Sequence, residues 1–219
     1  MEDVLDVYQR PHDPRLPVVC LDETCKEIHG DAVAPIPPRA PGEGRPGAPA
    51  RQDYEYVRGG SASIFMIHEP LAGTCHAQVR PQRTALEHAR MIKFLCDVMY
   101  PDAQKIILVQ DNLNTHTIGS LYTAFAPGEA RRLGSRLEIH HTPVHGNWLN
   151  MAEIALRLLS GQCLARRLPS REKLAREVEA WRVANAKSPM KTDWRFTTED
   201  ARIRLKRLYP KVSGTITEN

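Results

Sequence analysis

The segment KIILVQD, residues 105–111, constrains the fold more than any other part of the sequence. It is a short, nearly unbroken apolar run, which is typical of a strand covered by helices on both faces of a sheet. We therefore predict a central strand of an α/β sheet. Clefts in open α/β sheets form outside the carboxyl ends of strands, so we expect Asp111, Asn112 and Asn114 to emerge beside a functional cleft.

The remaining segments predict a mixed order of strands and helices around this central strand. Other strands are predicted at residues 16–23, ending at Asp22, and at 54–70, 74–81 and 136–143. Helices are predicted from Thr84 to about Pro101, around Pro127, from about Trp148 to Leu164, from Ser170 to Asn185 and after Thr197. Residues 35–50 contain six prolines and three glycines, which predicts a loop with polyproline character.

Composition sets limits on the class of protein. No stretch approaches the ~18 apolar residues that would span a bilayer, and acidic residues follow Met1, so we expect no signal peptide, no membrane contact and a cytoplasmic location. The formal net charge of +4 is compatible with a polyanionic partner, but it is too small to establish one.

Three acidic residues occupy comparable places in the predicted elements. Asp22 ends the first strand and Asp111 ends the central strand. Glu153, in the helix that follows the last strand, faces inward or lies at the edge of that helix's apolar stripe. If the first and fourth strands are neighbours, these carboxylates converge and repel one another unless a divalent cation neutralises them. Oxygen ligands suit Mg²⁺ or Mn²⁺, and two such ions would clamp both oxygens of a phosphodiester displacement. We therefore expect Asp22, Asp111 and Glu153 to be metal ligands.

Three segments around these carboxylates carry a family resemblance. VVCLDET, ILVQDNLNTHT and HTPVHGNWLNMAEI resemble the catalytic segments of bacterial insertion-sequence transposases related to the mariner elements. The spacing agrees, because 88 residues separate the two aspartates and 41 separate Asp111 from Glu153. The resemblance implies a DDE endonuclease (catalytic) domain with a ribonuclease H-like α/β fold, a mixed sheet flanked by helices.

The resemblance also implies an activity and partners. Asp22, Asp111 and Glu153 would match the catalytic triad of a Mg²⁺- or Mn²⁺-dependent enzyme, with two ions, that cleaves DNA strands at transposon ends and transfers them to target DNA. The partner would be double-stranded DNA, bound by a homodimer, in a bacterial cytoplasm where the bound protein associates with the nucleoid.

The resemblance further suggests a domain organisation. We expect an N-terminal leader at residues 1–15, a catalytic domain at 16–168 with the loop 35–50 inserted, and a C-terminal helical extension at 169–219 that packs on the same domain. Transposases of this kind carry helix-turn-helix modules upstream, and only about fifteen residues precede the first strand here. The chain would then be a truncated copy, a frameshift partner or an isolated catalytic unit.

Several polar residues near the triad are further candidates for metal support or DNA contact. Asn112 and Asn114 would shape the turn after the central strand or support the metals. His116 would cap the next helix, orient a ligand or contact phosphate, and Asn147 would be the N-cap of the helix that carries Glu153. The remaining candidates are His145 and the basic residues Arg204, Lys206 and Arg207 of the last helix.

Two other functions stay open on the sequence alone. The chain could be a catalytically silent relic or regulator that binds DNA or a full-length transposase through the same fold. It could also be a ribonuclease H-type nuclease acting on RNA–DNA hybrids, although the segment HGNWLNMAE does not favour that interpretation. Metal-dependent cleavage and its substrate preference separate all three hypotheses.

Overall fold

The computed structural model describes residues 1–42, 44–144 and 146–209 and contains one mixed five-stranded sheet. The strands are β1 (Val18–Asp31), β2 (Tyr56–Glu69), β3 (Thr74–Arg80), β4 (Ile106–Gln110) and β5 (Leu137–His141). Their order is β3-β2-β1-β4-β5. The pairs β1–β2 and β2–β3 are antiparallel, while β1–β4 and β4–β5 are parallel. The predicted mixed sheet and the neighbouring first and fourth strands are therefore confirmed.

Helices flank the sheet, and several begin at side-chain caps that the sequence contains. They are α1 (Glu2–Tyr8), α2 (Ala85–Phe94), α3 (Ile118–Ala124), α4 (Pro127–Ser135), α5 (Ala152–Leu159), α6 (Arg171–Ala186) and α7 (Thr198–Arg204). The side chains of Thr84 and Ser170 cap α2 and α6, and Thr197 with Asp200 forms a capping box on α7. Single π-helical turns, Leu95–Met99 and Ser160–Leu164, extend α2 and α5.

The central strand β4 explains how the apolar residues are distributed. Its five residues are all buried. Because successive side chains of a strand point to opposite faces, Ile106 and Leu108 join one apolar layer while Ile107 and Val109 join the other. The first layer packs against α2, α3 and α4, and the second packs against α1, α5, α6 and α7. Four of the five residues are apolar, as predicted for a strand covered on both faces, and the side chain of the fifth, Gln110, is hydrogen-bonded to His88 and to the carbonyl oxygen of His116.

Strand β1 differs from its prediction. It does not end at Asp22 but continues to Asp31, so Asp22 lies within a strand of 14 residues. The physical reason is that β2 remains paired with β1 along this whole length, whereas the parallel pairing with β4 stops at Cys20. The apolar run of β1 therefore marks the part of the strand that has neighbours on both sides. Beyond it, β1 continues with β2 as its one paired neighbour.

Two other segments refine the predicted boundaries. The helix expected from about Trp148 to Leu164 is divided into a 3₁₀ turn at Asn147–Leu149, α5 and a π turn. The proline-rich segment contains no regular strand among its described residues, but isolated antiparallel bridges join Ile36 to Arg51 and Arg39 to Ala48. This segment therefore folds back on itself as a narrow hairpin-like loop.

Both ends of the described chain pack on the same apolar layer. Val4 and Leu5 of α1 are fully buried there, and so are Leu174 and Val178 of α6, while α7 contributes Ala201. The division of the chain into leader, catalytic domain and extension stays a prediction. Among the helices of the described ranges, none is both long and apolar enough to cross a bilayer.

Candidate active site

The site begins where β1 and β4 separate. Their last parallel pair is Cys20 with Val109. Asp22 comes two residues after Cys20, and Asp111 comes two residues after Val109. The parallel register therefore places these two aspartates next to each other. Asp111 directly follows the carboxyl end of β4, which is the sheet position where α/β proteins commonly place their clefts.

Glu153 approaches the same cleft from helix α5. It is the second residue of that helix, and its side chain is exposed while Ala152 and Leu156 are buried against the sheet. Asp22, Asp111 and Glu153 all line one cavity of about 420 Å³. The residues that complete the lining are Glu23, Thr24, Arg83, Asn147, Leu156, Arg157 and Ser160.

The cleft disfavours the negative charge of Asp22. Burial, together with the nearby carboxylates of Asp111, Glu23 and Glu153, raises the pKa of Asp22 from 3.8 to about 7, although one hydrogen bond opposes this shift. That bond comes from the backbone N–H of Glu23, which donates to Asp22 Oδ1 at 2.8 Å. Since a nearby cation would reverse these effects, the cleft favours binding of a positive ion.

His116 lies buried behind the cleft and joins two of its acidic residues. Its Nδ1 contacts Asp111 Oδ1, and its Nε2 lies 3.2 Å from Glu23 Oε1. Burial alone lowers the pKa of His116, but hydrogen bonds to Asp111 and Glu23 outweigh it and raise the pKa to about 10. The two carboxylates thus favour the imidazolium form of His116, and the contact of Nδ1 with Oδ1 holds the Asp111 side chain in place.

This placement corrects one expectation for His116. The helix that follows, α3, has Thr117 as its N-cap residue, and the imidazole of His116 turns away from the helix toward Asp111. The sequence reads D-N-x-x-x-H, and the interval between Asp111 and His116 is long enough for the chain to turn back. The side chain of His116 contacts Asp111 across this turn, and no side-chain cap bond is made at the start of α3.

The donor chemistry of the cleft fits a divalent cation such as Mg²⁺ or Mn²⁺. The three carboxylates supply only oxygen atoms, which are the ligands that these hard cations prefer. In the part of the chain that the structure describes, however, no three His, Cys, Asp or Glu side chains are close enough to form a metal-binding group. The carboxylates therefore share one cleft without yet converging on one point, and their assignment as metal ligands stays a prediction.

The other candidate residues near the triad have different positions. Asn147 lines the cleft, but it is the first residue of the 3₁₀ turn and does not cap α5. The predicted cap was wrong because the chain makes this extra turn before the helix begins, and Asn150 accepts the hydrogen bond of Ala152 N instead. Asn112 and Asn114 are exposed and do not line the cleft. His145 lies outside the described residues.

The basic residues of the last helix do not reach the cleft. Arg204, Lys206 and Arg207 line a separate surface groove at the end of α7, which packs near α1. The Nε atom of Arg204 lies 3.8 Å from Oδ1 of Asp200, one turn earlier on the same helix. Their role in DNA contact stays a prediction.

Four residues of the site were not anticipated from the sequence. Glu23 partners His116, Asn150 caps α5, and Arg83 and Arg157 bring positive charge into the carboxylate cleft. Arg157 could have been found, because it lies one helical turn after Glu153 and thus on the same face. Arg83 could not, because the loop before α2 is brought to the cleft only by the packing of that helix.

Comparison with protein families identifies the family of this chain. The model of the DDE superfamily endonucleases matches residues 17–175, which is more than half of the chain and includes all three carboxylates. The chain belongs to the DDE endonuclease superfamily. The predicted DDE endonuclease domain is thereby confirmed, and the matched residues include β1 to β5 and α5, which form the cleft. No curated protein matches the sequence.

A solved structure confirms the fold of this domain. A crystal structure of the Mos1 strand transfer complex matches 94% of this chain and 56% of that chain, with 16% identity and a TM-score of 0.54. The catalytic core domain of BIV integrase matches 67% of this chain and 88% of that chain, with 18% identity and a TM-score of 0.39. The fold is ribonuclease H-like, as predicted. The chain spans about 56% of the length of the Mos1 chain.

Proposed function

We propose that this chain is a transposase catalytic domain that cleaves DNA strands at transposon ends and transfers them to target DNA, with a divalent metal ion. The observation that carries the proposal is the cleft of about 420 Å³, which three carboxylates of a DDE endonuclease line together with two arginines. Carboxylates suit a metal ion, and arginines suit the phosphates of the DNA that the ion would act upon.

Each group in the cleft has a role in this proposal. Asp22, Asp111 and Glu153 would hold one or two Mg²⁺ or Mn²⁺ ions, which when bound would activate a water or a 3′-hydroxyl and stabilise charge on the phosphate. His116 keeps Asp111 oriented through the buried contact of its Nδ1. Arg157, one turn from Glu153, is placed to bind a phosphate that flanks the scissile bond.

The proposal includes partners that follow from the family. Double-stranded DNA would be bound by two copies of the chain, because transposition joins two transposon ends, and a helix-turn-helix module would read those ends. The Mos1 strand transfer complex is one structure with this fold, and it supports DNA as the partner. A bacterial cytoplasmic location, at the nucleoid when DNA is bound, belongs to the same proposal.

The test is DNA cleavage and joining by the purified protein in Mn²⁺. We expect nicking of a supercoiled plasmid and insertion of an oligonucleotide with a free 3′-hydroxyl, and we expect the Asp111→Asn variant to lose both. The variant Asp102→Asn is a matched control, because it makes the same chemical change at an exposed residue outside the cleft. Unchanged activity of Asp111→Asn would refute the assignment of this carboxylate.

Other outcomes distinguish the two alternative functions. Binding to DNA or to full-length transposase without cleavage in any metal would favour a catalytically silent regulator. Preferential cleavage of the RNA strand of an RNA–DNA hybrid would favour a ribonuclease H-type nuclease. Either outcome would overturn the proposed transposase activity.

A further inference from the structure

Asn150 is a buried polar residue with a hydrogen bond at each end of its side-chain amide. Only 1% of its surface is exposed. Its Nδ2 donates to the carbonyl oxygen of Leu21 at 2.9 Å, and its Oδ1 accepts from the backbone N–H of Ala152 at 3.1 Å. A buried amide that is bonded through both its nitrogen and its oxygen is held in one orientation, because losing either bond leaves a buried polar group unpaired.

The two partners of Asn150 directly precede two acidic residues of the cleft. Leu21 precedes Asp22 in β1, and Ala152 precedes Glu153 in α5. Leu21 also lies just past Cys20, where the pairing of β1 with β4 ends. The amide of Asn150 thus joins β1 to the first turn of α5 at the point where a neighbouring strand no longer supports β1.

We propose that Asn150 is a positioning residue that sets the Glu153 carboxylate at a fixed place relative to Asp22. This inference rests on the proposed metal-dependent function. Helix α5 contributes Glu153 from its exposed face, so a rotation of the helix would change the position of that carboxylate in the cleft relative to Asp22. The tie through Asn150 prevents this rotation without occupying the cleft, since Asn150 does not line it.

A neighbouring buried residue supplies the matched control. The Tyr8 hydroxyl donates to the carbonyl oxygen of Leu149 at 2.6 Å, and Tyr8 is 6% exposed. Tyr8→Phe therefore removes this bond and the 3.4 Å contact of the same hydroxyl with Cys20 Sγ, while it leaves the bridge between Leu21 and Ala152 in place. Loss of stability without loss of positioning is the expected result for this variant.

Two substitutions separate capping from bridging at Asn150. Asn150→Ser keeps an oxygen that can accept from Ala152 N but is too short to reach the carbonyl of Leu21. Asn150→Leu fills the volume and removes both bonds. If the positioning role holds, both variants bind metal more weakly, whereas a role in helix capping alone predicts that only Asn150→Leu is impaired.

The experiment measures Mn²⁺ affinity of the metal-free protein by calorimetry, together with the melting temperature of each variant. We expect affinity to fall by about 10- to 100-fold in both Asn150 variants, as for residues that orient metal ligands. Tyr8→Phe should bind Mn²⁺ as the unmodified protein does. Wild-type affinity in Asn150→Ser, or an equal loss in Tyr8→Phe, would overturn the inference.

A crystal structure of Asn150→Ser tests the positioning role without relying on metal binding or on the proposed function. If the unmodified protein binds no Mn²⁺, the proposed metal-dependent function fails, but the positions of the two carboxylates can still be compared. A changed separation of Asp22 and Glu153 supports the positioning role. An unchanged separation overturns it, whatever the metal measurements show.

Discussion

Replacing Asp22 by asparagine should stabilise the metal-free protein at neutral and alkaline pH. Burial, followed by the carboxylates of Asp111, Glu23 and Glu153, raises the pKa of Asp22 from 3.8 to about 7. At about 1.4 kcal/mol per pH unit, this shift corresponds to about 4 kcal/mol of stability that the folded protein lacks once Asp22 is ionised. Asparagine has nearly the same shape, and its Oδ1 can still accept from the backbone N–H of Glu23.

The sign of the pH dependence follows from proton binding. Between pH 3.8 and about 7 the folded state holds the proton of Asp22 while the unfolded state has released it, because the folded pKa is the higher one. Stability of the unmodified protein therefore falls as pH rises through this window and levels off above it. Asp22→Asn lacks this loss, so its advantage should be small near pH 4 and largest at pH 8.

Thermal unfolding in the presence of a chelator measures this difference. For a chain of this size 1 kcal/mol shifts the melting temperature by about 2–4 °C, so we expect Asp22→Asn to melt about 10 °C higher at pH 8. The exposed Asp102→Asn is the control and should change little. Equal melting temperatures of Asp22→Asn and the unmodified protein at pH 5 and pH 8 would refute the argument that the cleft disfavours the charged form of Asp22.

Three further predictions concern the turn, the core and the cleft. In urea unfolding, Gly73→Ala should destabilise the fold by at least about 1 kcal/mol more than Gly60→Ala. Both glycines have a positive φ, but a Cβ at Gly73 would lie 2.7 Å from the backbone nitrogen of Lys191, whereas a Cβ at Gly60 would meet no atom within 4 Å. Phe65→Ala should cost about 3–5 kcal/mol in the same assay, because Phe65 is 0% exposed; a cost below about 1 kcal/mol would contradict its place in the core. Arg157→Gln should weaken DNA binding and lower the salt-dependence slope by about one, whereas an unchanged slope would mean that Arg157 contacts no phosphate.

The sequence by itself determined the layered architecture. The unbroken apolar run of β4 specifies a strand with helices on both faces, since every other residue must be buried on each side. The helix predicted from Ser170 to Asn185 is observed as α6, Arg171–Ala186, with Ser170 as its N-cap. These are local or periodic signals, which depend only on neighbouring residues along the chain.

Only the tertiary structure decided how the site is assembled. The extent of β1 beyond Asp22 depends on pairing with β2, a strand more than twenty residues further along the chain. The bridge from Asn150 to Leu21 and the entry of Arg83 into the cleft likewise join residues far apart in sequence. No periodicity encodes such contacts, because they arise only when the packed helices bring α5 and the loop before α2 to the edge of the sheet.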